Sequence, residues 1–111
     1  MVKVAVEVSI NAELFATLRD EAVRLERSSS WIVQRCLRSS LPTLAQMAPE
    51  ALELRTLKAV LPAEATQPSL FYMPREMFDE LERQSARLKL GPEAIVTWTW
   101  ERNRAEILAL P

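Results

Sequence analysis

Apolar and other residues alternate strictly over residues 2–10 of the chain. An alternation with this period predicts a β-strand that buries one face and exposes the other. The apolar positions are Val2, Val4, Val6, Val8 and Ile10, and the intervening positions are Lys3, Ala5, Glu7 and Ser9. No second strand pattern follows directly, so the backbone of this strand needs a pairing partner from farther along the chain.

The spacing of apolar residues changes to that of amphipathic helices after this strand. Asn11 is a favourable N-cap for a first helix, whose apolar face comprises Leu14, Phe15, Leu18, Ala22 and Leu25. The serines at positions 28–30 predict the start of a second helix, because serine hydroxyls accept hydrogen bonds from free helix amides. Its apolar set is Trp31, Ile32, Val33, Cys36, Leu37 and Leu41, and Pro42 predicts its approximate end.

Four prolines punctuate the middle of the chain, at positions 42, 49, 62 and 68. Between them the segment PEALELRTLKAVL predicts a short amphipathic helix with Pro49 near its first turn. Leu54, Leu57 and Leu61 form its apolar stripe. Two interpretations fit this stripe: a connector that covers exposed core, or a helix that binds a partner.

The opening pattern then returns at a constant offset of 63 positions. Identical pairs include Glu13 with Glu76, Phe15 with Phe78, Arg24 with Arg87 and Ile32 with Ile95. The repeat predicts a strand from about Ser69 to Met73, a helix over 75–88 and a last helix from Pro92 to about Leu108, with Gly91 as the break before it. The first strand then pairs most simply with the second, antiparallel, in a two-stranded ribbon covered by four helices.

The predicted architecture is therefore mainly α, with one short two-stranded antiparallel ribbon. We expect a first strand-helix-helix unit over residues 1–41, a connector over 42–68 and a second unit over 69–111, together one compact domain. The connector is long enough for the ribbon to form within one chain or between two chains, so both a monomer and a homodimer fit the sequence.

The composition argues against catalysis. The 111 residues include no histidine and one cysteine, and the net charge is −1. Acidic pairs such as Asp20-Glu21 and Asp79-Glu80 alternate with arginines on polar helix faces, which is typical of solvated surface. Cys36 lies among apolar residues, so we expect a buried hydrophobic side chain. We expect no enzyme, metal or cofactor, no membrane segment, and a cytoplasmic location.

The segments VEVSI and LFYM, each followed by two amphipathic helices, resemble the ribbon-helix-helix family. The resemblance covers residues 3–41 and 69–107. In that family two chains each contribute one strand, and the outer face of the ribbon enters the major groove of DNA. Members include repressors and the DNA-binding parts of antitoxins. The resemblance implies that this chain is a fused pseudo-dimer, a DNA-binding transcriptional regulator or antitoxin-like protein whose partner is double-stranded DNA.

The resemblance also implies which residues contact DNA. The base-reading positions correspond to Lys3, Ala5, Glu7 and Ser9 in the first unit and to Pro68, Leu70 and Tyr72 in the second. The phosphate contacts correspond to Ser28, Ser29 and Ser30 at the start of the second helix. Arg35 and Arg38, with Arg27, add positive charge beside them. The matching residues of the second unit are Gly91, Pro92 and Glu93, which suit a phosphate poorly because proline has no amide hydrogen and glutamate is negative.

A second function fits the same fold. The ribbon centre lacks the arginine, lysine, asparagine and glutamine side chains that read bases, while Leu70 and Tyr72 suit a protein contact. Trp98 corresponds to Arg35 and is predicted on an outer helix face, either at a partner interface or packed against the connector or the tail. The alternative is thus a ribbon-helix-helix scaffold used for protein–protein interaction. Because the two ribbon halves differ, any DNA target of one chain should be non-palindromic.

Overall fold

The computed structural model describes residues 2–51, 53 and 66–111. In these residues the strands are β1 (Lys3–Asn11) and β2 (Thr66–Pro74), and the helices are α1 (Ala12–Leu25), α2 (Ser29–Ala45), α3 (Arg75–Leu88) and α4 (Pro92–Leu108). All elements of the second unit (residues 66–108) begin and end 63 positions after their counterparts in the first unit (residues 3–45). The predicted connector helix, with Leu54, Leu57 and Leu61, lies outside the described residues apart from its first positions.

The two strands pair antiparallel, from Lys3 opposite Pro74 to Asn11 opposite Thr66. The predicted ribbon is thus confirmed, and it forms within one chain. Glu7 and Leu70 are both repeat counterparts and direct partners in the register, so the pseudo-two-fold axis passes between them. β2 starts earlier than the predicted Ser69 because its first residues pair with the last residues of β1.

One face of the ribbon forms part of a single hydrophobic core. Val6, Val8, Ile10, Phe71 and Met73 point to this side and are almost fully buried. They pack over α2 and α4, which lie against each other at the centre of the molecule and contribute completely buried side chains from both units, including Ile32, Leu37, Leu44, Ile95 and Ile107. Buried side chains of both units thus belong to the same hydrophobic core.

Both units turn between their helices in the same way. Glu26 and Lys89 adopt left-handed conformations, with φ of 54° and 56°, directly after α1 and α3. Arg27 N then donates to Ala22 O, and Leu90 N donates to Ser85 O, in the pattern that satisfies the last carbonyls of a helix. The left-handed residue of the second unit is therefore Lys89, whereas Gly91 is the extended N-cap of α4.

Helix α2 continues past Pro42 to Ala45, which corrects the predicted end of the helix. Pro42 removes only one hydrogen bond of the last turn, and two favourable contacts hold that turn in place. Leu41 and Leu44 are buried in the core. In addition, the Arg87 guanidinium donates to the carbonyl oxygens of Leu44 and Met47, both at 2.9 Å.

The same contact recurs, by symmetry, at the end of α4. Arg24, the repeat counterpart of Arg87, donates to the carbonyl oxygens of Ile107 at 3.0 Å and Leu110 at 2.5 Å. Each unit therefore supplies an arginine that caps the final helix of the other unit. A cation at this place compensates the negative end of the helix dipole as well as the unpaired carbonyls.

Candidate nucleic-acid interface

The outer face of the ribbon is exposed, as the alternation predicted. Its side chains come from alternate residues of both strands: Lys3, Ala5, Glu7, Ser9, Pro68, Leu70 and Tyr72. The two large ones, Leu70 and Tyr72, are 53% and 50% exposed. The structure therefore brings all the predicted ribbon-face residues onto one surface.

This surface carries little charge. Glu7 stands opposite Leu70 at the pseudo-two-fold axis, Ala5 stands opposite Tyr72, and Ser9 stands opposite Pro68. Lys3 is its single base and Glu7 its single acid. The second-unit half is the more apolar of the two, so the halves present different chemistry to any ligand.

The start of α2 is attached to the outer edge of β2. The Tyr72 N–H donates to Ser30 Oγ at 2.8 Å, and Gln34 Nε2 donates to the Tyr72 carbonyl oxygen at 2.7 Å. Ser30, predicted as a phosphate contact, therefore uses its hydroxyl within the fold. Gln34 was missed by the sequence interpretation, because nothing in helical periodicity indicates a bond from a polar helix residue to a distant strand.

Serine caps α2, but no side chain caps α4. Ser28 Oγ accepts from Trp31 N at 3.0 Å, while the amides of Ser29 and Ser30 belong to the first turn and have no intrahelical acceptor. At the start of α4, the Glu93 carboxylate lies against Gly91, so close that a Cβ there would be 2.0 Å from Glu93 Oε1. The second unit thus places its own carboxylate at the helix N-terminus.

Two of the three predicted arginines lie beside the first turn of α2. The guanidinium groups of Arg27 and Arg35 lie 5.0 and 5.6 Å from the centre of the Trp31 ring, within cation–π distance. Arg35 also forms an ion pair with Glu106 at 2.9 Å, which offsets part of its charge. Arg38 lies exposed on the same helix, and α2 contains no acidic residue.

Trp98 is buried, which corrects the expectation of an exposed position on the outer face. Only 5% of the residue is accessible, and its Nε1 donates to the Glu53 carboxylate at 2.7 Å. The Arg102 guanidinium stacks 4.9 Å from its ring centre. Packing against the connector, which was the other interpretation, accounts for these contacts. The indole therefore offers little surface to a partner.

The remaining candidate groups show no reactive arrangement in the described ranges. Burial raises the pKa of the Cys36 thiol to about 12, although the nearby Arg35 charge acts in the opposite direction. The thiol is thus protonated at neutral pH and sits in the core, as predicted. Among residues 2–51, 53 and 66–111 no cluster of side chains is suited to hold a metal ion, and none of the helices described there has the length and apolar character to span a bilayer.

Comparisons with protein-family models, with curated proteins and with solved structures give no match. The likeness to the ribbon-helix-helix fold consequently depends on the topology itself. The described elements follow the order β-α-α-β-α-α, and their two strands pair antiparallel, which is the arrangement that a tandem version of that fold requires.

Proposed function

We propose that this protein is a DNA-binding regulator or antitoxin-like protein of the tandem ribbon-helix-helix type, which inserts the outer face of its ribbon into the major groove. The observation that carries the proposal is the exposed two-stranded ribbon, one face of which is covered by helices while the other is open along its whole length. The major groove of B-DNA, about 12 Å wide, admits a two-stranded ribbon.

The side chains of the ribbon favour a particular kind of base contact. Ala5 and Leu70 suit the methyl groups of thymine, and the hydroxyls of Ser9 and Tyr72 can donate to or accept from base edges. Glu7 can accept from the amino group of cytosine but is repelled by the phosphates on both sides of the groove. The surface therefore supports modest specificity, with a target that differs between its two halves.

Contacts with the DNA backbone would come mainly from the first unit. The amides of Ser29 and Ser30, together with Arg27 and Arg38, lie on or beside a helix without acidic residues. The equivalent helix α4 contains Glu93, Glu101 and Glu106. Phosphate binding at the α4 N-terminus would also compete with the Glu93 carboxylate. We therefore expect strong contacts with the DNA phosphates at the start of α2 and weak ones at the start of α4.

The proposal is tested by titrating a labelled nonspecific duplex with the protein at several salt concentrations and following fluorescence anisotropy. Binding should be detectable at low salt and should weaken steeply as salt is added, because each neutralised phosphate releases counterions. An absence of binding at low salt, at protein concentrations up to about 0.1 mM, would rule out the DNA-binding function, since nonspecific dissociation constants are about 10⁻⁴–10⁻⁶ M at physiological salt and fall further as salt is removed.

Charge reversal identifies the binding side. The double variant Arg27→Glu/Arg38→Glu should bind more weakly and lower the slope of log affinity against log salt by roughly two, one for each lost phosphate contact. The control is Arg19→Glu/Arg104→Glu, which changes the net charge equally at two exposed positions on α1 and α4. If the two double variants lose DNA affinity equally, only the overall charge of the protein matters. The assignment of the phosphate contacts to the α2 side would then be wrong.

One observation favours a second function, as a protein-interaction module. Leu70 and Tyr72 are both half exposed and lie two residues apart on the same face. Aromatic side chains in such places often dominate protein interfaces. In this case a pull-down from the native host should recover a protein with the wild type and lose it with Tyr72→Ala, while the DNA titration shows no binding.

A further inference from the structure

The two edges of the ribbon differ in their free hydrogen-bonding groups. Because Ser30 and Gln34 bind the N–H and C=O of Tyr72, these groups point away from β1. In an antiparallel pair the residues two and four positions away point the same way. Pro68 and Pro74 stand at two such positions and have no N–H to offer. At Pro68, Tyr72 and Pro74 the outer edge of β2 therefore offers no free N–H to a further strand.

The outer edge of β1 is open. Ala5 is the register partner of Tyr72, so its N–H and C=O also point outward, as do those of Lys3, Glu7 and Ser9. No hydrogen bond between described residues reaches these groups. Pro68 of β2 is the repeat counterpart of Ala5 of β1. The backbone position that has no N–H in β2 is therefore a hydrogen-bond donor in β1.

We infer that the open edge of β1 is a strand-addition surface whose partner is β1 of a second copy of this chain, paired antiparallel about a two-fold axis at Ala5. The charges of the edge select this register. Centring the axis on Ala5 places Lys3 of each copy opposite Glu7 of the other, and opposite charges in such cross-strand pairs attract. Axes centred on Lys3 or Glu7 would instead place like charges opposite each other.

The apolar side chains fit the same register. Val2 is 71% exposed although it follows the alternation of the buried face. With the axis at Ala5, Val2 of one copy lies beside Val8 of the other, and Val4 lies beside Val6. The pairing thus extends the inner face of the ribbon across both copies, and the product is a four-stranded sheet with β2 at both ends.

The dimer and a groove-bound ribbon would exclude each other. Strands lie about 4.8 Å apart, so four strands are too wide for a groove of about 12 Å that accommodates two. Self-association would thereby control access to the outer face. The dimer itself does not rest on the proposed DNA-binding function, and its tests need no DNA.

The first test measures solution mass by sedimentation equilibrium over a range of protein concentrations up to about 0.5 mM. The wild type should shift from the monomer mass of 12.7 kDa to twice that value. Ala5→Pro should weaken the dimer about tenfold or more, since it removes two intermolecular donors, one from each copy, without removing a bond of the β1–β2 ladder. Pro68 shows that this backbone position accepts proline.

Ala5→Val is the matched control, because valine is similar in size to proline but keeps the backbone N–H. The Ala5→Val variant should therefore show the same masses as the wild type at each concentration. Circular dichroism checks that the Ala5→Pro variant is folded. A wild type that stays monomeric at every concentration, or a dimer that Ala5→Pro leaves intact, would overturn the proposal.

Charge exchange tests the register independently. Lys3→Glu and Glu7→Lys should each weaken self-association, because each creates two like-charge pairs in the dimer. Mixing the two single variants should restore a dimer with about wild-type affinity, since both cross-strand pairs then join opposite charges. If the mixture associates no better than either variant alone, the axis is not at Ala5 and the inferred register is wrong.

Discussion

In the first unit α1 ends at a left-handed residue, Glu26, and α2 begins after an extended N-cap, Ser28. In the second unit Lys89 is left-handed like Glu26, and Gly91 is extended like Ser28. The side chains at equivalent positions of α2 and α4 nevertheless differ. Arg38 of α2 corresponds to Glu101 of α4, and Arg35 corresponds to the buried Trp98. The comparison shows that the shared interior fixes the backbone of both units, while the exposed positions are free to serve different contacts.

The largest effect is expected from truncating equivalent core side chains, which tests whether the two units share one interior. Ile32 and Ile95 are repeat counterparts, and both are fully buried. Ile32→Ala and Ile95→Ala should each lower the free energy of unfolding by about 2–5 kcal/mol, because each removes buried apolar area and leaves a cavity. Urea denaturation followed by circular dichroism measures both values.

Val23→Ala is the control for these variants, since Val23 is 75% exposed and should contribute less than about 0.5 kcal/mol. If the two isoleucine variants unfold in separate transitions, or if one costs no more than the control, the units do not share one cooperative core.

The reciprocal arginine caps offer a smaller but more specific test. Arg24→Ala and Arg87→Ala should each cost about 1–2 kcal/mol, because each leaves two helix carbonyls of the opposite unit without a charged donor. Arg24→Lys should lose part of this amount, since one ammonium group reaches two carbonyls less well than a guanidinium.

Arg104→Ala is the comparison variant for the caps. Its side chain is 55% exposed and, among the residues that the structure describes, pairs with Glu101 three residues away on the same helix, so its loss should change stability by less than about 0.5 kcal/mol. Equal effects from Arg104 and the two capping arginines would show that the caps contribute nothing beyond ordinary surface pairs.

Much of the fold could be predicted from periodicity alone. The limits of α3 and α4 agree with the prediction because Arg75, Pro92 and the apolar spacing mark them locally. The exposed ribbon face likewise follows from alternation. The end of α2 could not be predicted, since Pro42 is a local stop signal that is overridden by buried Leu44 and by Arg87 from another helix.

The candidate site shows the same division. Its exposed residues follow from the alternation, but the use of Ser30 within the fold depends on the distance from α2 to β2, which no local pattern contains. Trp98 was expected on an outer face because it corresponds to Arg35. Its Nε1 instead donates to Glu53, a residue of the connector that has no counterpart in either unit. What the ribbon binds depends on the chemistry of a partner, so it stays a prediction.

The smallest expected effect concerns the start of α2, where the side chain of Ser28 caps the helix and the second unit has Gly91 instead. Ser28→Ala should cost about 1 kcal/mol, because the Trp31 amide loses its side-chain acceptor. Ser29→Ala is the matched control on the next residue, whose hydroxyl makes no cap bond, and it should change the free energy of unfolding by less than half as much. Urea denaturation separates the two. Were both substitutions equally costly, the cap bond would not explain why α2 begins with serine while α4 begins with Gly91 and Pro92. A loss confined to Ser28 would show that the bond from its hydroxyl to the Trp31 amide stabilises the start of α2.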